Sequence, residues 1–228
     1  MERRNVNPLP AEFFTRFGLY AEREFLSPEV CASLRDEMRA ATGTPATVAE
    51  GQEGHAVDET YRRTKKTDVS PATAARIGDQ LLRAVPELAK HFDRELVGMQ
   101  KPQFLLYREG DFFRPHEDDS KKPDAPDYVK QRSVSAVVFL NGATPGEPAG
   151  YSGGSLTFYG LMDEASSEQS VGIPLAGETG LLIAFPSHLL HSVSPVTAGE
   201  RYTLVSWFFE APSSSIPERS ERVSEHPA

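Results

Sequence analysis

Apolar residues recur at helical spacing only in the first part of the chain, up to about Val97. Ser27-Pro28 supplies an N-cap followed by proline at the first helical position. Val30, Leu34, Met38 and Ala41 then recur on one helical face, and Gly43 closes the segment. Ser70-Pro71 repeats the start signal, with Ala74, Ile77, Leu81 and Leu82 as its stripe, and a third short helix begins at Pro86 with Leu88 and Phe92. Beyond Val97 the period changes. Short apolar stretches at Phe104–Tyr107, Val134–Leu140, Leu156–Tyr159, Gly180–Phe185 and Tyr202–Phe209 are separated by clusters of Gly, Pro, Asn and Asp. This rhythm predicts a β-sandwich or barrel rather than alternating βαβ units. Helices first and strands afterwards make an α+β domain, with the helices packed on one face of a curved antiparallel sheet.

The division that follows is one domain over residues 1–211, with a helical support at 1–97 and a β core at 98–211. Residues 212–228 are polar without periodicity and read as a flexible tail. Two long loops are expected, Asn141–Ser152, turn-forming throughout, and Asp119–Lys130, charged and proline-bearing.

Composition narrows the function classes. With 228 residues, 39% hydrophobic and 25% charged, the chain has the make-up of a globular protein with one buried core. No apolar run approaches the ~20 residues of a membrane-spanning helix. The start, Met1 to Pro8, has charge but no apolar stretch after it, so it does not read as a secretory signal. Cys31 is the only cysteine, which favours a reducing, cytoplasmic setting and suits a small apolar residue on a helix face. A formal charge of −9 argues against a nucleic-acid binder and leaves a basic peptide open as partner.

The chemistry gathers around His116-Glu117-Asp118. On a strand, the two-residue period puts His116 and Asp118 on one face. A second imidazole from a distant strand would complete two nitrogens and a carboxylate around one point. That is the ligand set of a non-haem Fe(II) oxygenase, which leaves positions open for cosubstrate and oxygen. A bare His-x-Asp is a weak signal, and a solvated acidic turn is its bland reading. The text ahead of it, Tyr107 through a Gly110-Asp111 turn to His116, reads as a hairpin that sets Tyr107 near His116 on the same sheet. His191 and His188 compete for the third position. Three residues apart in an extended segment they face opposite ways, and the strand that follows His191 favours it, leaving His188 in a loop. Arg201 opens the strand running to Phe209; inside a barrel mouth it would need an anion, whereas in a Gly-Glu-Arg turn it would be an ordinary surface residue. The basic stretch Tyr61–Lys66 is either a solvated face or a loop that contacts substrate, and residues 119–130 could form a lid. Trp207, among Val205, Phe208 and Phe209, reads as core.

Taken together, Tyr107 with His116-x-Asp118, the Gly153–Tyr159 strand, and the block Phe185-Pro186, His191-x-Val193-x-Pro195-Val196, Gly199-x-Arg201 resemble the 2-oxoglutarate/Fe(II) dioxygenases, closest to the prolyl 4-hydroxylase branch. The motif-bearing part runs from Phe104 to Phe209. The resemblance implies a double-stranded β-helix (jelly-roll) core with the metal at one mouth. It implies Fe(II) on His116, Asp118 and His191, the far carboxylate of 2-oxoglutarate on Arg201, and a hydrogen bond from Tyr107 to the same cosubstrate. It further implies O2 as co-reactant, ascorbate as a reductant that restores the metal, and hydroxylation of an unactivated C–H bond. Asp118 sets the chain apart from related halogenases, which lack that carboxylate. Many peptide prolyl hydroxylases carry lysine where Arg201 stands. No separate peptide-binding domain is evident, so a prolyl residue of a peptide or protein competes as substrate with a free amino acid or small natural product. A non-catalytic jelly-roll binding module is the rival outside enzymes.

Overall fold

The computed structural model describes residues 7–46, 48–50, 54–56, 58–147, 149–162 and 171–210. The segment 212–228 read as a tail, the boundary residue at 211 and the first six residues of the leader reading lie outside the described residues.

In the first half of the chain come α1 (Ala11–Thr15), β1 (Tyr20–Glu22), α2 (Pro28–Ala40), β2 (Thr44–Pro45), β3 (Val48–Glu50), β4 (Gly54–Ala56), β5 (Arg62–Arg63), β6 (Lys65–Thr67), α3 (Pro71–Arg83) and α4 (Val85–Phe92). Strands then dominate: β7 (Leu96–Met99), β8 (Gln103–Tyr107), β9 (Phe112–His116), the short helix α5 (Asp127–Lys130), β10 (Arg132–Phe139) and β11 (Tyr151–Gly153). The last six are β12 (Leu156–Phe158), β13 (Ile173–Leu175), β14 (Leu182–Pro186), β15 (His191–Val193), β16 (Val196–Gly199) and β17 (Arg201–Glu210). All the named strand pairs are antiparallel. The protein is a mixed helix and sheet fold with mostly antiparallel sheets.

The expected helices form where their caps predicted. Ser27 Oγ accepts from the Val30 amide and Ser70 Oγ from the Thr73 amide, and each helix begins on proline. One large sheet runs β1-β14-β10-β17-β8-β6-β2, with β7 also paired to β17; a smaller one runs β13-β12-β15-β9-β5. The helices cover one face of the large sheet. Leu34, Met38, Ile77, Leu81 and Leu88 pack there against Phe104, Leu106, Val134, Val138, Leu204 and Phe208. On the opposite face Leu105, Val137, Phe139, Ile183 and Phe185 meet Leu156, Phe158, Ile173, Leu175 and Val193 of the smaller sheet. The two-residue period of β8, β10 and β17 divides each strand between these two cores. Alternate residues of β8 and β17 (Gln103, Leu105 and Tyr107; Arg201, Thr203, Val205 and Trp207) therefore look into the space between the sheets.

Two expectations need correction. Tyr107 and His116 do not share a sheet, because β8 belongs to the large sheet and β9 to the small one. Gly110, at φ +80°, turns the chain from one layer to the other, and Asp111 Oδ2 accepts from the Arg108 amide inside that turn. The basic stretch Tyr61–Lys66 is not a loop: Arg62–Arg63 pair with β9, and Lys65–Thr67 pair with β8. Segment 119–130 contains α5 and is anchored by buried Asp119, Ala125 and Val129. Cys31 is fully buried, its thiol pushed up to about 11 by burial, which makes it inert.

Candidate metal and cosubstrate site

The space between the sheets opens as a cavity of about 720 Å³. His116, at the end of β9, and His191, at the start of β15, face each other across a strand pair. Asp118 lies just past β9, where its amide donates to the Ser187 carbonyl. Among the described residues, the ligand atoms of His116, Asp118 and His191 lie within 4.8 Å of one another. His116 Nε2 is 3.8 Å from Asp118 Oδ1, and His191 Nε2 is 3.6 Å from Asp118 Oδ2.

The same local device orients both imidazoles. His116 Nδ1 meets the Arg114 carbonyl at 2.8 Å, and His191 Nδ1 meets the Leu189 carbonyl at 2.8 Å. A carbonyl only accepts, so each Nδ1 carries the proton and each Nε2 lone pair turns to Asp118. A β-bulge completes the arrangement. Between the pairs His191↔His116 and Val193↔Phe113, β9 holds one residue more than β15. Without it, Phe113 and His116 would face opposite ways; with it, both enter the cavity. The Phe113 ring then stacks on His116 at 3.5 Å and 17°. His188, the competing histidine, is exposed in the turn after β14 and lies outside the cluster.

Electrostatics keep these donors ready for a cation. The His116 pKa is pushed down to about 3 by burial and by His191, with only partial relief from Asp118, so the ring is neutral. Burial pushes the Asp118 carboxyl up, but His191, His116, Arg132 and the Ser135 hydroxyl outweigh it, so the carboxyl sits below its usual range. A pH dependence follows. Between pH about 6.5 and about 3 an unfolded His116 binds a proton that the folded ring refuses, so stability falls on acidification through that window. Thermal melting of the metal-free protein should show this slope already above the carboxylate range. The slope should flatten in His116→Phe; an equal slope in both proteins would contradict the assignment.

Deeper in the cavity Arg201 is 1% exposed. Its guanidinium lies 5.0 Å from the Tyr107 ring centroid and 5.1 Å from that of Phe139. Tyr107 is its direct register partner across β8 and β17. The hydrogen bond given to this guanidinium is a long one, Nη1 to Thr203 Oγ1 at 3.4 Å, and Nε has no partner. A cation buried this completely is stable only with an anion beside it. Gly154 keeps the place open: a Cβ there would meet Val196 Cγ2 at 2.9 Å and Arg201 Cδ at 3.0 Å. Two imidazoles and a carboxylate suit a divalent transition metal, and the orphaned guanidinium suits the far carboxylate of a small dicarboxylate. The residues fit both groups.

Sequence reasoning missed three contributors. Arg132 lies flat on Trp207, 3.7 Å from the ring centroid, so Trp207 is both buried and a platform. Arg132 Nη1 donates to the Asp118 carbonyl, while Nε and Nη2 donate to Gln100 Oε1. Arg62 is 8% exposed and covers Phe113 at 4.6 Å. The Phe113 stack itself had no signal in the sequence, because it depends on the bulge.

A metal-binding triad beside a buried, unpartnered arginine defines the class of a non-haem metal oxygenase that takes a dicarboxylate cosubstrate. Residues 102–209 match the family model described as the 2OG-Fe(II) oxygenase superfamily, and over these residues the chain belongs to that superfamily. It is a 2-oxoglutarate- and Fe(II)-dependent dioxygenase. The PKHD-type hydroxylase YbiX of Escherichia coli O1:K1 is 26% identical over 183 residues, covering 80% of this chain and 74% of that protein. A prolyl-4-hydroxylase of Pseudomonas putida superposes with TM-score 0.63 at 22% identity, covering 88% of this chain and 97% of that one. HygX of Streptomyces hygroscopicus, solved with nickel, 2-oxoglutarate and hygromycin B bound, superposes with TM-score 0.59 at 15% identity, covering 89% of this chain and 88% of that one. Among the described residues no helix is long and apolar enough to cross a membrane.

Proposed function

We propose that this chain hydroxylates an unactivated C–H bond, with His116, Asp118 and His191 holding Fe(II) and with Arg201 and Tyr107 holding 2-oxoglutarate. The convergence of the three ligand atoms within 4.8 Å, in the same cavity as the orphaned Arg201, carries this reading. When bound, the metal and cosubstrate supply the oxidation: O2 is consumed, 2-oxoglutarate leaves as succinate and CO2, and one oxygen atom ends as a hydroxyl on the substrate. The chain's own residues bind and orient. The backbone carbonyls of Arg114 and Leu189 hold the two imidazole tautomers, Arg201 fixes the far end of the cosubstrate, and Leu156, Val193 and Val137 keep the cavity wall apolar.

In the same reading the two packed sheets form the jelly-roll core of one catalytic domain, residues 1–211, working in the cytoplasm with ascorbate as reductant. The substrate it favours is a prolyl residue of a peptide or protein, supported by the likeness to YbiX and to the Pseudomonas putida enzyme. A free amino acid or small natural product is the second reading, favoured by the likeness to HygX, which was solved with a small molecule bound. The non-catalytic module has no comparable support. The test is succinate release by the iron-loaded protein with proline peptides, free amino acids and aminoglycosides in parallel. Release with peptides, and one added oxygen on proline by mass spectrometry, is expected. Release only with small molecules would move the second reading ahead.

A further inference from the structure

Two arginines flank the metal-ligand cluster from opposite sheets, and neither is explained by iron or by 2-oxoglutarate. Arg62, on β5 of the small sheet, lies over the face of Phe113 away from His116, so guanidinium, phenyl and imidazole form one stack. Arg132, on β10 of the large sheet, would face the helices if β10 kept a strict period. A bulge between Arg132 and Val134 turns it into the cavity, where it lies on Trp207 beside Asp118. Each cation is thus held on an aromatic plane at the cavity wall before any substrate arrives. Arg132's hydrogen-bond acceptors, Gln100 Oε1 and the Asp118 carbonyl, are neutral.

The charge in this region does not balance. A divalent metal, the Asp118 carboxylate, a dianionic cosubstrate and Arg201 cancel among themselves. Outside that set the cavity lining offers Arg62, Arg132, Lys121 and Lys122 against Glu117 and Asp119. Asp119 is already matched by Lys121 at 3.0 Å. Arg62 lowers the proton affinity of Arg132, so the two like charges are close enough to oppose one another. Holding two half-buried or buried guanidiniums near each other is unfavourable unless an anion joins them. The chain as a whole carries −9, so its positive mouth is a local exception that draws anions inward.

We propose that the substrate presents a carboxylate to the mouth between Arg62 and Arg132, next to the carbon that is hydroxylated. This rests on the hydroxylase reading and narrows its substrate class to acidic molecules, replacing the basic peptide that net charge alone left open. Two sources share the chemistry: a Glu or Asp flanking the target residue in a peptide, or the α-carboxylate of a free amino acid.

The test measures binding without turnover, by titration calorimetry on protein loaded with Zn(II) and 2-oxoglutarate. Three capped pentapeptides serve as probes, Ala-Glu-Pro-Glu-Ala, Ala-Gln-Pro-Gln-Ala and Ala-Lys-Pro-Lys-Ala, together with L-proline and L-prolinamide. The carboxylate-bearing member of one series should bind about tenfold tighter than its neutral twin, the ratio one partly buried charge contact supplies. That ratio should shrink towards one in Arg62→Gln and in Arg132→Gln. The series that discriminates identifies the source. Equal affinity within both series, preference for the lysine peptide, or no binding by any probe would overturn the proposal. Product analysis with iron is separate: discrimination without proline hydroxylation would reject the prolyl reading and leave the acidic-substrate inference standing.

Discussion

Asp118→Ala is expected to abolish 2-oxoglutarate turnover and weaken iron binding by at least about 100-fold. Changes one shell further out already cost 10–100-fold in metal affinity at comparable sites. Asp118 is the only carboxylate within the triad, and both imidazole Nε2 atoms turn towards it. Its removal leaves two neutral donors that cannot offset a dication. The fold should survive, because Asp118 lies past the end of β9 and outside both apolar cores. Its structural contacts run through the backbone, from its amide to Ser187 and from Arg132 to its carbonyl, and alanine keeps both groups. Anaerobic equilibrium dialysis and a melting curve separate the two effects. Iron retained in the variant would remove Asp118 from the ligand set; lost iron with an unchanged melt is the expected pair.

The second large effect concerns Arg201. Arg201→Ala should raise the 2-oxoglutarate requirement on the order of 100-fold, since truncating one side of a buried charge pair costs about 2–5 kcal/mol. The loss should appear in the cosubstrate KM more than in kcat, because Arg201 holds the end of the molecule that does not react. Arg201→Lys should fall between the two, as an ammonium cannot reproduce the two-pronged contact. The metal-free variant has a second signature. The wild type buries a guanidinium whose Nε has no partner, so Arg201→Lys should cost little stability without cosubstrate. An unchanged KM in both variants would remove Arg201 from the cosubstrate site.

How far the sequence could be read depended on how local the controlling physics was. The Ser-Pro starts of α2 and α3 act within a single turn, so those helices were legible. The strands β8, β10, β14 and β17 are fully buried on at least one face and show as apolar runs. The segment from Thr44 to Thr67 gave no such signal. Its strands are two or three residues long, and Arg62, Lys65 and Lys66 have the make-up of a solvated loop. They are strands only because β8 and β9 offer edges for them to join. Sheet membership was equally hidden: a turn at Gly110 looks like a hairpin whether the chain returns to its own sheet or crosses to the facing one.

In the site, His116, Asp118, His191, Tyr107 and Arg201 were marked by motif text, and the structure brings all five to one cavity. Phe113 and Arg132 were invisible for one shared reason. Each reaches the cavity through a bulge, where one extra residue reverses the face that period-two reasoning assigns. The choice of His191 over His188 did not depend on a bulge, since the turn after β14 leaves His188 exposed.

The account rests on iron and 2-oxoglutarate meeting at His116, Asp118 and His191 with Arg201 behind them. The direct measurement is an anaerobic titration of the metal-free protein with Fe(II) and then 2-oxoglutarate, followed by visible absorption. A weak metal-to-ligand charge-transfer band should grow to one equivalent of each and be absent in Asp118→Ala. Iron binding without that band, or a band that persists in the variant, would contradict the account.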